Sequence, residues 1–105
     1  MHHFLKIARA RAEVLKTQAI DASAWSMLEA VALAEHDGQR LCVTELMRLR
    51  EHGSPATIHR RLVSLRKSGL VRVVPDEDDS RVKWLAISDA AKVLFEQLGR
   101  AAEHA

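Results

Sequence analysis

The chain has 105 residues, of which 48% are hydrophobic and 29% are charged, and its formal net charge is +2. This length supports one domain with a single modest core, and the composition is that of a globular rather than a disordered chain. The single cysteine excludes an intrachain disulfide, and the absence of a long apolar run argues against a membrane span or signal peptide, so we expect a cytoplasmic protein.

The first third of the chain is predicted to be helical. Apolar residues recur at three- and four-residue steps over residues 2–18, which predicts a first helix with a thin, alanine-rich apolar face. Asp21 or Ser23 can cap a second helix that continues to about Glu35. The first helix has few large apolar residues of its own, so we expect it to pack on a partner subunit as well as on its own domain.

A short helix and a turn follow. Residues 41–43 are predicted to be extended, and Thr44 is predicted to cap a third helix from Glu45 to about Arg50. The segment 51–53 contains glycine and joins this helix to the next one. Two helices joined by a short glycine-containing turn form a helix-turn-helix pattern.

The segment 54–70 is predicted to be one helix with both ends marked. Ser54 is a favourable N-cap residue, and Pro55 fits the first helical position because its missing N–H is not needed there. Gly69 suits the left-handed conformation that follows a last turn. The apolar stripe that this helix must bury consists of Ile58, Leu62 and Leu65.

The opposite side of this helix bears hydroxyl and basic groups and no carboxylates. Short side chains let a helix backbone approach a DNA groove, and arginine binds guanine edges or phosphates. For a helix considered alone, a basic face in contact only with solvent is the alternative. The candidate DNA-contacting residues of the helix are Ser54, Ala56, Thr57, His59, Arg60, Arg61 and Ser64.

Positive charge is concentrated in the middle of the chain. Residues 40–75 carry eight basic residues (Lys or Arg) and two acidic residues. By contrast, residues 1–39 carry four basic and five acidic residues, and residues 84–105 carry two basic and three acidic residues. A local excess of this kind is typical of a surface that binds nucleic acid.

The periodicity changes from helical to extended after the central helix. Residues 70–74 and 81–87 are predicted to be two strands of a hairpin, joined by a charged tip at 76–80. Ser88 is predicted to cap a last helix that spans 89–104. The predicted fold class is therefore mainly α with a small antiparallel β-hairpin, arranged as a winged helix-turn-helix.

The winged-helix arrangement comes with a set of specific residues. They are Ser54-Pro55-Ala56-Thr57-Ile58, Leu65, Gly69-Leu70-Val71, the wing pattern Asp76-x-x-Asp79-x-Arg81, and Leu85-x-Ile87-Ser88-Asp89. In these positions the chain resembles the MarR family of bacterial transcription regulators, over about residues 41–98. The resemblance implies one domain over residues 1–105, with the helix-turn-helix and wing at 41–87 and dimerisation through helices 1–18 and 89–104.

The resemblance also implies a function and a site. It implies a sequence-specific regulator that binds double-stranded DNA, with helix 54–68 in the major groove and wing 75–82 at the minor groove. Arg81 would enter the minor groove, where a narrow groove favours arginine, and Lys83 would belong to the same surface. Asp76 and Asp79 would shape the wing and orient Arg81. Such a protein would be nucleoid-associated.

Partners other than DNA are limited on this interpretation. A homodimer is expected, because paired half-sites are how such modules gain specificity. Relatives continue into a further C-terminal helix that helps to build a ligand crevice, and this sequence stops soon after its last apolar helix. A sizeable pocket for a small-molecule effector is therefore not expected.

Other classes of function have less support in the sequence. The segment from Leu41 to Met47 resembles the metal-binding helix of ArsR-type sensors, but Thr44 replaces the second cysteine, and one thiol cannot make a soft-metal site. No phosphate-binding loop or nucleophile motif is present, so we expect neither an enzyme nor a cofactor or metal site. The alternative function is a winged-helix protein-interaction module without DNA-binding activity. In such a module Trp84 could mark the interaction surface; the other interpretation of Trp84 is partial packing against Arg72.

Overall fold

The computed structural model describes residues 2–18 and 20–103, with side chains for residues 4–16 and 20–100. Met1 and the end of the predicted last helix at residue 104 lie outside the described residues. Within the described residues the elements, in chain order, are α1 (His2–Gln18), α2 (Ala22–His36), β1 (Leu41–Cys42), α3 (Val43–Met47), a 3₁₀ turn (Arg50–His52), α4 (Pro55–Lys67), β2 (Val71–Pro75), β3 (Lys83–Ile87) and α5 (Asp89–Glu103).

The start of α2 resolves the choice between two predicted caps. Asp21 is the N-cap residue, and its Oδ1 accepts a hydrogen bond from the backbone N–H of Ala24 at 2.7 Å. A side-chain acceptor at this position satisfies one of the free donors of the first turn.

The prediction for α3 is wrong at both ends. The helix begins at Val43, with Cys42 rather than Thr44 as its N-cap residue, and it ends at Met47 instead of Arg50. Glu45 lies three residues after the N-cap, and its Oε1 accepts the backbone N–H of Cys42 at 3.2 Å, as in a capping box. The acceptor that fixes this helix start is therefore a glutamate rather than a threonine hydroxyl.

The sheet has three strands in the order β1-β3-β2, with both pairs antiparallel. The predicted hairpin corresponds to β2 and β3, in which Val73 lies opposite Leu85. The third strand, β1, adds Leu41 opposite Leu85 and Cys42 opposite Trp84. The wing is thus attached to the segment before α3, and the mainly α fold class with a small antiparallel sheet is confirmed.

The core lies where α2, α4 and the sheet meet, and every buried residue that the structure describes is apolar. The indole of Trp25 packs against the ring of Phe95 with the centroids 5.2 Å apart, which joins α2 to α5. The predicted inward stripe of α4 is buried as expected. The buried residues are Ile20, Ala24, Trp25, Met27, Leu28, Val31, Leu46, Ile58, Leu62, Leu65, Leu70, Val71, Leu85, Ile87 and Ala91.

The first and last helices pack against each other and leave apolar side chains exposed. α1 lies against α5, but Phe4 and Leu5 on α1 and Val93 on α5 remain largely exposed. The two terminal helices therefore present apolar surface outward, although α5 also contributes Ala91 to the core.

Candidate nucleic-acid interface

The N-terminal end of α4 is held by a side-chain cap. Ser54 has an extended backbone (φ −71°, ψ 159°), its Oγ accepts the backbone N–H of Thr57 at 3.3 Å, and its hydroxyl donates to the Thr57 Oγ1 at 3.0 Å. Pro55 is the first helical residue. This start is therefore ordered by local contacts, which keeps the exposed first turn in a defined position.

The outward side of α4 is open to solvent. Ile58, Leu62 and Leu65 point into the core, and the opposite side of the helix is not covered by the rest of the described chain. Of the predicted contact residues on α4, only Thr57 and Arg61 are partly buried; the exposed ones are Ser54, Ala56, His59, Arg60 and Ser64.

Arg61 has a contact within the protein that the sequence prediction did not include. Its Nη1 donates a 2.8 Å hydrogen bond to the backbone carbonyl oxygen of His52, in the 3₁₀ turn, and the side chain is partly buried. Arg61 lies three residues after Ile58, at the margin of the buried stripe, and this spacing is the signal for a structural role. The bond ties the turn to α4, so this guanidinium is less available to a ligand than that of Arg60.

Gly53 joins the 3₁₀ turn to the cap of α4 in a conformation that side chains rarely adopt (φ 114°, ψ −167°). A Cβ at this position would lie 3.2 Å from Thr57 Cγ2 and 3.4 Å from Arg61 Nη1. We expect Gly53→Ala to lower the free energy of unfolding by about 1–3 kcal/mol, because this backbone region is essentially restricted to glycine.

Urea denaturation of the wild type and Gly53→Ala measures this change. Gly38→Ala is the matched control, since Gly38 also has a positive φ of 73° but has no neighbouring atom within 4 Å of the added Cβ. If Gly53→Ala were no more destabilising than Gly38→Ala, neither the backbone conformation of Gly53 nor the contacts of the added Cβ with Thr57 and Arg61 would lower stability further.

The wing between β2 and β3 is folded around Asp76. One carboxylate oxygen, Oδ2, accepts the backbone N–H groups of Asp78 at 3.0 Å and Asp79 at 3.1 Å. The other oxygen, Oδ1, accepts the indole Nε1–H of Trp84 at 2.8 Å. The backbone N–H of Asp76 donates to the carbonyl oxygen of Val82 at 2.9 Å and closes the loop.

Asp79 holds Arg81 through both of its carboxylate oxygens. Its Oδ1 accepts the backbone N–H of Arg81 at 3.1 Å and the side-chain Nε–H at 3.0 Å, and its Oδ2 accepts Nη2–H at 3.2 Å. The Arg81 side chain is nevertheless 89% exposed. A paired arginine of this kind keeps a defined direction while most of its surface remains available. Lys83, at the start of β3, is exposed as well.

Arg40 and Trp84 belong to the same region and were not among the predicted site residues. The guanidinium carbon of Arg40 lies 5.0 Å from the centroid of the Trp84 ring, within the range of a cation–π contact. The predicted packing partner of Trp84 was Arg72. Arg40 comes close because it precedes β1, which pairs with β3 and places Cys42 opposite Trp84, while Arg72 lies opposite Ala86, two positions from Trp84 on the same face of the sheet.

The hydrogen bonds of the wing lower the pKa of two carboxyl groups. The indole N–H of Trp84 and then the backbone N–H groups of Asp78 and Asp79 hold the pKa of Asp76 below its usual value. The side chain and backbone N–H of Arg81 do the same for the pKa of Asp79. Each donor stabilises the ionised carboxylate.

These lowered pKa values predict how the wing responds to acid. Because the folded-state pKa of Asp76 lies below the unfolded one, its stabilising effect is present above the unfolded value, near pH 4, and is lost as pH falls through the folded-state pKa. We expect the Trp84 Nε1–H resonance to be constant from pH 7 to about pH 5 and to shift only in more acidic solution. A ¹H–¹⁵N titration measures this, with Asp76→Asn as the control that should remove the transition. A shift centred at or above the usual aspartate pKa would contradict the assigned contacts.

No group of three or more His, Cys, Asp or Glu residues within the described part of the chain is arranged to hold a metal ion. Cys42 is partly buried and is a free thiol. None of the described helices is long and apolar enough to cross a membrane.

Comparisons with known proteins identify the fold. No protein-family model matches the sequence, and no curated protein matches it either. Among solved structures, the chain is similar to the transcriptional regulator Tm0710 from Thermotoga maritima, with a TM-score of 0.74 and 20% identity over 96% of this chain and 67% of that one. It is also similar to S. aureus MepR in a complex with DNA (TM-score 0.73, 15% identity, 92% and 76% covered) and to apo MarR from E. coli (TM-score 0.67, 20% identity, 96% and 71% covered).

These likenesses extend over nearly the whole chain but only two thirds to three quarters of each of these three known proteins. The helix-turn-helix and the wing predicted from the sequence therefore have their counterparts in the structure: α3 and α4 form the first, and β2 with β3 the second. The fold of this chain is the winged helix-turn-helix of the MarR-type transcription regulators.

Proposed function

We propose that the chain is a MarR-family transcription regulator that binds double-stranded DNA in a sequence-specific manner. In this proposal α4 enters the major groove and the wing reaches the adjacent minor groove. The observation that carries it is that the chain has two exposed surfaces suited to DNA. One is the acid-free side of α4, and the other is Arg81, which Asp79 holds in a defined direction. No catalytic step is involved.

The chemistry of the two surfaces supports different kinds of contact. On α4, Arg60 is long enough to bind guanine edges or phosphates, while Ala56 and Ser64 are small enough to let the backbone approach the groove. On the wing, Arg81 is the cation suited to a narrow minor groove with a strongly negative potential. Arg61 would contribute at the edge, because it also holds the 3₁₀ turn. A related fold is found in MepR in a complex with DNA.

We further propose that two copies associate through α1 and α5. The support is the apolar surface on these two helices, where Phe4, Leu5 and Val93 are 66%, 53% and 48% exposed. A two-fold dimer would present two copies of α4 to successive major grooves on one side of the duplex. The operator would then consist of inverted half-sites, and the protein would be associated with the nucleoid.

Selection of bound fragments from random duplex DNA tests the function and the dimer together. The expected result is an enriched pair of inverted half-sites about one helical turn apart. A single enriched half-site would contradict the dimer only. No enrichment, with no duplex binding even at low salt, would contradict the DNA-binding function and support the alternative of a protein-interaction module.

Substitution of the two arginines tests the assigned surfaces. We expect Arg60→Ala and Arg81→Ala each to weaken binding to the selected duplex by about 10-fold or more, because a good arginine–base contact contributes roughly 1–3 kcal/mol. Both side chains are exposed, so the melting temperature should change little. Fluorescence anisotropy with a labelled duplex measures the affinity.

Arg9→Ala is the matched control, since Arg9 is an exposed arginine on α1, outside α4 and the wing; because α1 belongs to the proposed dimer interface, the comparison is made at a concentration at which sedimentation shows both proteins to be dimers. The substitution removes the same charge and should leave the affinity within about twofold of the wild type. Full affinity in both Arg60→Ala and Arg81→Ala would refute the assigned sites.

A further inference from the structure

A series of contacts connects the segment before β1 with the tip of the wing. The guanidinium of Arg40 lies on the Trp84 ring at 5.0 Å, and the Trp84 Nε1–H donates to Asp76 Oδ1 at 2.8 Å. Asp76 in turn binds the backbone N–H of Asp79 through its second oxygen at 3.1 Å. Asp79 binds the backbone N–H and the guanidinium of Arg81. The indole is therefore separated from the exposed arginine by two carboxylates only.

The two ends of this series differ in how firmly they are held. Trp84 lies on the central strand β3, paired with Cys42 on one side and Val74 on the other, so its backbone position is fixed by the sheet. Arg81 lies at the tip, and its side chain is 89% exposed. Because packing does little to restrict such a side chain, its direction depends on the hydrogen bonds that reach it from Asp79.

We propose that Trp84, held by Arg40, is a positioning residue that orders Arg81 for its contact with DNA. The proposal rests on the DNA-binding function proposed above. The indole N–H fixes the carboxylate of Asp76, which fixes the backbone at Asp79, and the Asp79 carboxylate then directs the guanidinium. An arginine ordered before binding loses less conformational freedom when the complex forms, and this raises affinity without a new contact to the ligand.

Arg40 interacts with two members of the series, Trp84 and Asp76. Its cation lies over the indole face, where the ring quadrupole attracts it, and its charge also favours the ionised form of Asp76. It thus restrains the ring and the carboxylate that the ring binds. Arg40 itself lies outside the wing, so a substitution there can test the series without replacing a residue of the loop.

Two variants test the series at different points. Trp84→Phe keeps an aromatic ring beneath Arg40 but removes the Nε1–H donor, and Arg40→Gln removes the cation. Each should weaken binding to the selected duplex by about 3- to 10-fold, the size expected for lost preorganisation of one long side chain. Arg40→Lys should recover most of the affinity. Arg9→Gln is the matched control, because it removes the same charge at an exposed position outside the series, α4 and the wing.

A double-mutant cycle separates positioning from a direct or general effect. In an Arg81→Ala background, Trp84→Phe and Arg40→Gln should change affinity by less than about twofold, since there is no arginine left to order. If Trp84→Phe had wild-type affinity, or weakened binding equally with and without Arg81, the proposal would be overturned.

A measurement without DNA keeps the proposal testable if the DNA-binding function fails. The ¹⁵N order parameter of Arg81 Nε should be high in the wild type and should fall in both Trp84→Phe and Arg40→Gln, measured well below the melting temperature of each variant. An unchanged order parameter would refute the positioning role. Loss of order in a protein that binds no duplex at any salt concentration would refute the DNA-binding function while retaining the internal series.

Discussion

Raising the salt concentration from about 50 to 200 mM should weaken binding of the chain to its selected duplex by about 10⁴-fold. Each phosphate that a Lys or Arg side chain neutralises releases counterions, so log K falls with log salt in proportion to the number of such contacts. For a dimer with about eight phosphate contacts, the expected slope is near −7. The expectation follows from the proposed function and from the concentration of eight basic residues in residues 40–75.

Anisotropy titrations at five or six salt concentrations measure this slope. If Arg60 or Arg81 binds a phosphate, its replacement by alanine should make the slope less steep by about 0.9 per contact, counted in both subunits. Arg9→Ala should leave it unchanged. Duplex binding that is tight but insensitive to salt would contradict a surface built on phosphate contacts, even if the affinity itself were high.

Leu28→Ala should lower the free energy of unfolding by about 2–5 kcal/mol, which is a large part of the stability of a domain of this size. Leu28 lies on α2 and is 0% exposed, in the core that α2, α4 and the sheet share. Removing its branched end takes away buried apolar contacts and leaves a cavity that the surrounding side chains fill only in part. Equilibrium unfolding in urea, monitored by circular dichroism, measures the change.

Leu33→Ala provides the matched control for this prediction. Leu33 lies on the same helix, and the chemical change is identical, but the residue is 61% exposed. We expect it to change stability by no more than about 0.5 kcal/mol at the same protein concentration. Similar losses in the two variants would show that Leu28 is no more buried than Leu33 and would contradict this position of α2 in the core.

Much of the fold follows from local features of the sequence. The α4 helix begins at a serine and a proline and carries a buried stripe at Ile58, Leu62 and Leu65, so its limits and its inward side can be predicted without coordinates. The wing follows from a change of periodicity from helical to alternating. These signals suffice because caps, turns and periodic apolar residues act over three or four positions along the chain.

The short elements could not be predicted in the same way. The strand β1 has two residues, too few to show alternation, and it exists because β3 provides a partner. The start of α3 depends on Glu45, which accepts the backbone N–H of Cys42 and makes Cys42 the N-cap residue. From the sequence, Thr44 is also a favourable N-cap residue, and it would start the helix two residues later. Sequence patterns rank such choices poorly, because the deciding contact is a single hydrogen bond.

The candidate site likewise has features that the local sequence predicts and features that depend on tertiary contacts. The sequence by itself determined that a basic, acid-free helix side and an Asp–Arg wing would exist, because those properties belong to residues close together in the chain. Only the tertiary structure decided that Arg61 is drawn to the His52 carbonyl and that Arg40 lies on Trp84, 44 positions away. The Arg40–Trp84 contact depends on how β1 pairs with β3, and the Arg61–His52 contact depends on how the 3₁₀ turn packs against α4. Both arrangements are determined by the burial of the whole core, which involves residues far apart in the chain.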